Sequence, residues 1–256
     1  MTAPAASASQ EVCPVSSHRG RRRSWLRWAL VAAAVVVVLA VGGPFVYIHF
    51  IEGPAPAPLG LSDSASPGAT ASGAGSGQAA AATLPGTWTV AAGSRAGYRV
   101  NEVLLGQDNV AVGRTNSVAG HLTIRRSTVT AGTFTVKMDT IRSDRSRRDA
   151  QFDGRIMDVA TYPTGTFTLT RGITLAPVPA SGKVRTYHAT GKLTLHGHTR
   201  QVTFDLKAER TATQIRASGS IPITFADWGI PNPSFGSFVT TENHGVMEFL
   251  LVLQKR

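Results

Sequence analysis

Cysteine is almost missing from this chain of 256 residues: Cys13 stands alone. One thiol excludes a disulfide framework, an iron–sulfur cluster and a thiolate zinc knot. Because Cys13 precedes the first apolar run, it also cannot be a lipoprotein acylation site at the end of a signal, and it reads as an inert reduced thiol. Charge is scarce as well, at 16% against a usual 25% or so, which excludes a highly charged disordered chain and a nucleic-acid tail. Acidic residues are the rarer sign, 15 against 26 Lys+Arg, for a net charge of +11. Motifs of common chemistry are absent too: there is no G-x-S-x-G elbow, no glycine-rich phosphate loop and no cysteine nucleophile. The sequence reads as that of a protein that is not an enzyme and needs no cofactor.

What is present falls into three unlike stretches. Residues 28–51 are 24 consecutive positions without a formal charge, enough for the roughly 20 that cross a bilayer core. Arg19, Arg21, Arg22, Arg23 and Arg27 crowd before this run and none follow closely. The positive-inside rule then places 1–27 in the cytoplasm as a basic tail and the remainder outside it. A cleavable signal ending at Gly42-Gly43-Pro44 is the alternative. The apolar stretch continues through Phe45, Val46, Tyr47 and Ile48, longer than the usual signal core, which favours an uncleaved anchor. Residues 52–86 follow, with Ala, Gly, Pro and Ser at 27 of 35 positions. That is the composition of a linker, whose ends as a flexible coil would lie about 30 Å apart.

Residues 87–256 are long enough to bury a core as one domain. They carry 21 basic and 12 acidic residues, so anionic lipid or wall polymer suits this exported domain better than nucleic acid. Period-two alternation runs through it, the signature of half-buried strands. Val202, Phe204, Leu206 and Ala208 alternate with Thr203, Asp205 and Lys207, and Phe134, Val136 and Met138 with Thr133, Thr135 and Lys137. The same pattern appears in Ile215, Ala217, Gly219, Ile221 and Ile223, in Leu122 with Ile124, Phe167 with Leu169, Leu193 with Leu195, and in Met247, Phe249, Leu251 and Leu253. Eight or nine strands result. Only 140–159 resists, where Ile141, Phe152, Ile156 and Met157 are spaced as in short helical turns broken by Gly154. A closed barrel able to hold a ligand, or a two-sheet sandwich, accounts for this pattern.

Three features invite a functional reading. His196-Gly197-His198 offers two imidazoles, but a metal needs about three convergent ligands, and the intervening glycine favours a turn. Arg142, Arg145, Arg147 and Arg148 supply enough guanidinium forks to hold a phosphate, or else pair with Asp144, Asp149 and Asp153 on a solvated helix. In the loop 231–238, Phe235 and Phe238 line a pocket mouth, touch a bilayer or plug the barrel end, plugging being the simplest reading.

Taken in order, the domain's motifs resemble the YceI-like family, the bacterial polyisoprenoid-binding domain with a lipocalin-like barrel. The resemblance rests on Trp88, then Arg147-Arg148-Asp149, Phe152-Asp153 and Met157-Asp158-Val159, then Tyr162-Pro163 with Thr166-Phe167. It continues in the hairpin from Gly191 through His196-Gly197-His198 to Arg200, and closes with Asp227-Trp228-Gly229-Ile230. Gln151 stands where a histidine often follows the family's Arg-Asp pair. The resemblance implies an extended antiparallel barrel whose apolar interior holds an isoprenoid tail without catalysis.

The fold expected is therefore all-β: an extended antiparallel lipocalin-like β-barrel of about eight strands with one or two short helices, preceded by a single transmembrane helix. Its cavity lining is expected to comprise Tyr98, Val100, Leu122, Ile124, Phe134, Val136, Met138, Phe167, Leu169, Leu193, Leu195, Phe204, Leu206, Ile221, Ile223 and Trp228. Arg142, Arg145, Arg147 and Arg148 are the candidates for a head group, no metal site is expected, and the partners are an isoprenoid or other long-chain lipid and the membrane. The alternative is a non-catalytic scaffold or adhesion module with a filled barrel and a basic face. A hydrolase or isomerase with ionisable groups inside the cavity is a third class.

Overall fold

The computed structural model describes residues 19–46, 55–64, 84–104, 106–236 and 238–256. Cys13, most of residues 1–27, the end of the apolar run and most of residues 52–86 lie outside these. The chain divides into two units, 1–53 and 54–256.

In the first unit α1 (Arg19–Val46) is a helix of 28 residues, continuous from the arginine-rich stretch into the apolar run. Val35, Val36, Val37, Val38 and Leu39 on it are all more than half exposed. Side chains are described without a break only over 27–40, and among the described residues no helix is long and apolar enough to cross a membrane. The anchor over 28–51 thus remains an expectation of the sequence.

The second unit is a closed antiparallel barrel. Its strands are β1 (Gly86–Val90), β2 (Arg95–Leu104), β3 (Gln107–Thr115), β4 (Val118–Arg125), β5 (Thr128–Lys137), β6 (Thr164–Leu169), β7 (Ile173–Thr174), β8 (Arg185–Leu195), β9 (His198–Arg210), β10 (Gln214–Thr224), β11 (Val239–Thr241) and β12 (His244–Lys255). Four lines of backbone are each broken once: β1 continues into β2, β3 into β4, β6 into β7 and β11 into β12. The result is eight long strands. The ladder runs β1-β4-β5-β6-β8-β9-β10-β12 and closes because β12, paired with β10 on one side, meets both β1 and β2 on the other.

The alternation sets which side chains fill the interior. Phe204, Ala217, Ile221 and Leu251 face inward and are buried, while threonines on the outer pleat bond across strands, Thr194 with Thr199 at 2.7 Å and Thr190 with Thr203 at 3.0 Å. β8 and β9 join through His196 and Gly197 alone, at φ 47° and 74°, the left-handed pair of a tight two-residue hairpin. A Cβ on Gly197 would lie 2.6 Å from the Tyr162 ring, so the histidine-flanked glycine serves the turn.

The connection 138–163 holds a 3₁₀ turn (Met138–Thr140), the short helix α2 (Ser146–Gln151) and a π-helical turn (Phe152–Ile156). Asp149 shapes its entry by accepting hydrogen bonds from the Ser143 amide at 2.8 Å and hydroxyl at 2.7 Å, so among the described residues this carboxylate is used by serine and not by an arginine.

Part of the stretch with linker composition lies on the barrel's outer wall. Residues 55–64 form a strap in which Leu59 is buried and its amide donates to Glu248 Oε2 at 3.2 Å. Arg99 donates to the Pro56 carbonyl at 2.5 Å, Arg114 to that of Ala57 and Arg216 to that of Leu61. Glu248, only 4% exposed, is held by Arg114 at 2.7 Å and Arg99 at 3.5 Å. The Ser94 hydroxyl takes up the Val252 backbone on the same outer face, and Leu250, between Glu248 and Val252, is fully buried.

Candidate functional site

The inward side chains do not fill the barrel. At the end reached by the second half of β2, a cavity of about 630 Å³ opens to solvent, and a second of about 160 Å³ lies deeper, with Ala96, Val136 and Met247 lining both. The walls of the larger one are apolar: Val100, Met138, Ile141, Phe152, Met157, Leu195, Ile223, Phe225 and Ile230 contribute. Its volume falls within the range of small-molecule sites, and its largely apolar lining with polar groups gathered at one end is their usual construction. In the deeper chamber Phe204 makes edge-to-face contacts with Phe167 at 5.4 Å and Phe249 at 5.8 Å, favoured aromatic geometries.

Polar groups gather where the cavity opens. Tyr98 stacks on Phe152 with centroids 5.0 Å apart, and burial pushes its phenol well above the usual range, Arg148 opposing that shift. Arg148 bonds Glu102 at 2.9 Å and also pairs with Asp144. Burial works against its charge, but Glu102 and Asp144 outweigh that and hold the guanidinium's pKa above its ordinary value. Arg142 turns to Asp153 at 3.4 Å, whose own pKa is raised by desolvation, with Arg142 partly offsetting it. Arg145 lies 3.7 Å from Asp144. Arg155 donates to Gln151 at 3.0 Å and to the carbonyls of Asn232 and Pro233 at 3.3 and 2.9 Å.

Of the expected lining, Tyr98, Val100, Met138, Leu195 and Ile223 face the larger cavity. Leu122, Ile124, Phe134, Phe167, Leu169, Leu193, Phe204, Leu206 and Ile221 face the deeper one, and Val136 faces both. Trp228 does not line either. It closes a 3₁₀ turn (Phe225–Trp228), is 3% exposed, and its carbonyl meets His196 Nδ1 at 3.2 Å, a role in the core. Arg145, Arg147 and Arg148 reach the cavity, whereas Arg142 does not, because its side chain is drawn to the Ile141 carbonyl and Asp153. Phe235 and Phe238 do not plug the barrel. A turn closed by the Phe235 amide on the Val239 carbonyl holds both rings more than half exposed, Phe235 on the rim. Arg155, Gln151, Phe152 and Ile230 also line the larger cavity, and because they lie on helical turns and a loop no strand alternation marks them. Among the described residues no cluster of three or more potential metal ligands occurs.

The profile of the YceI-like domain matches residues 88–251, the whole of the barrel except its first and last few residues. The chain belongs to the YceI-like family. Among solved structures it is similar to a polyisoprenoid binding domain from Saccharophagus degradans, described as implicated in plant cell wall breakdown. That likeness has a TM-score of 0.54 at 17% identity and covers 67% of this chain and 99% of the other. BcnA of Burkholderia cenocepacia is similar with a TM-score of 0.50 at 21% identity, over 64% of this chain and 98% of its own. At such identities the likeness is one of fold. No curated protein matches the chain significantly.

Proposed function

We propose that this YceI-like barrel is a non-catalytic carrier that holds the apolar tail of an isoprenoid-type lipid, a quinone or a polyprenyl phosphate, outside the cytoplasm for sequestration or transport. The anchor over 28–51 belongs to the same proposal, and the charge-free run flanked on one side by five arginines supports it. The observation that carries the reading is the open apolar cavity of about 630 Å³ backed by a second chamber. The description of the Saccharophagus domain as polyisoprenoid binding agrees with it. Each methylene moved from water into such walls contributes about 0.8 kcal/mol, so ten or so methylenes offset much of the roughly 4–15 kcal/mol that association costs. A filled barrel acting only as a scaffold finds no support in a core that leaves these two voids.

The test is native mass spectrometry of the full chain purified from its own membrane, followed by organic extraction of whatever is bound. A stoichiometric adduct whose extract is a prenyl lipid is expected. Protein that carries no lipid, and gains none when isoprenoids are supplied, would overturn the carrier reading.

A further inference from the structure

The charges around the cavity mouth do not balance. Four arginines line it, Arg145, Arg147, Arg148 and Arg155, against one carboxylate, Glu102. Arg148 is spoken for by Glu102 and Asp144. Among the described residues the Arg147 guanidinium has no hydrogen bond or ion pair, and that of Arg155 bonds only neutral partners, Gln151 and two carbonyls. Arg147, Gln151 and Arg155 recur every four positions along α2 and the π-helical turn, a spacing that stacks side chains on one face. That face forms the rim. Tyr98, also lining the cavity, makes no hydrogen bond through its hydroxyl among the described residues.

Two uncompensated guanidiniums beside an apolar cavity are complementary to an amphiphile with an anionic head. A phosphate ester carries about −1.5 to −2 at neutral pH and accepts from several donors at once, whereas a quinone or alcohol head is neutral and leaves both cations unmatched. We propose that the mouth selects lipids bearing a phosphate or diphosphate head, with Arg147 and Arg155 as the specificity-determining residues and the Tyr98 hydroxyl as an additional donor. This inference rests on the carrier reading and narrows it to one of its two ligand classes.

The experiment uses the full chain in zwitterionic detergent, titrated separately with geranylgeranyl phosphate, with geranylgeraniol and with inorganic phosphate, binding being read by isothermal titration calorimetry. Comparing parent and Arg147→Gln/Arg155→Gln within each ligand cancels the ligand's own partition into micelles. The double substitution is expected to weaken the phosphate ester about tenfold or more, as loss of charge-assisted bonds should, and to leave the alcohol within about twofold. Arg147→Lys/Arg155→Lys should restore part of the difference, and both variants should melt with the parent because both side chains are exposed. Equal effects on the two lipids, or none on either, would overturn the head-group assignment while leaving the cavity reading standing. Inorganic phosphate binding as tightly as the ester would assign the arginines to a free anion and overturn the lipid head. If the parent binds neither lipid, it is the carrier reading itself that fails.

Discussion

Filling the deeper chamber separates a barrel that accommodates a chain from one that is merely loosely packed. Ala217 on β10 lines that space and is 8% exposed, so Ala217→Phe projects a ring directly into about 160 Å³ of existing void. The ring displaces about five carbons of bound tail, about 4 kcal/mol of transfer energy at about 0.8 kcal/mol per methylene. A tail that folds back into the larger cavity recovers part of this, leaving a net loss of about 1.5–3 kcal/mol, or roughly tenfold to a hundredfold in Kd. Since the ring enters empty space, stability should change by less than about 1 kcal/mol, against about 1–3 kcal/mol for overpacking a solid core. Gly219, two residues on, is not an equivalent site, because a Cβ there would lie 2.9 Å from both the Asp205 carbonyl oxygen and the Phe249 ring. The assay is titration of the full chain with a prenyl lipid, with thermal melting in parallel. Unchanged affinity together with a destabilised fold would refute the reasoning, since it would show that the chamber neither admits the tail nor has room for the ring.

Phe204→Asp places a charge among Phe167, Phe249 and the other lining residues and should cost several kcal/mol in chemical denaturation; a variant that melts with the parent would mean that the register of β9 is wrong. Leu59→Ala should cost about 2 kcal/mol, and Glu248→Gln a similar amount by leaving Arg99 and Arg114 without their carboxylate; denaturation midpoints equal to the parent's would show that the strap contributes nothing. Because the Tyr98 pKa is raised in the folded state, its contribution to stability is complete below the unfolded tyrosine value of about 10 and is lost as pH rises above it. Alkaline unfolding should therefore be less steep in Tyr98→Phe, and ultraviolet titration should show no Tyr98 ionisation in the ordinary range. A reporter fused after Arg256 should be active only outside the cytoplasm, and activity confined to the cytoplasm would reverse the proposed topology.

Much of the barrel was legible because a pleated strand repeats every two residues, and β9 needs only Val202, Phe204, Leu206 and Ala208 to declare its inner face. The helical turns within 140–159 were legible for the complementary reason, as Phe152, Ile156 and Met157 fit no strand. What escaped depended on long-range pairing. Arg155 lies outside the arginine-rich run 142–148, and only the fold brings it to the rim beside Arg147 and against Asn232 and Pro233. Trp228 looked like a lining aromatic, yet its 3₁₀ turn tucks it behind the His196-Gly197 hairpin. The strap was invisible for lack of periodicity: amid Ala, Pro and Ser, Leu59 and Leu61 are the only large apolar residues between 55 and 64, and the arginines that hold its carbonyls lie 43 to 155 residues away.

That strap also decides how the barrel bears load. A pull arriving from the N-terminal side meets residues 55–64 before it meets β1, and there it is resisted by guanidinium grips on the carbonyls of Pro56, Ala57 and Leu61 and by Leu59 seated over Glu248. These contacts are separate single interactions, whereas β1 is zipped to both β4 and β12, and tearing it out would open the barrel. Under such a pull the strap would act as a mechanical fuse: tension would be spent on peeling a segment from the outer wall before it reached the seam that closes the cavity.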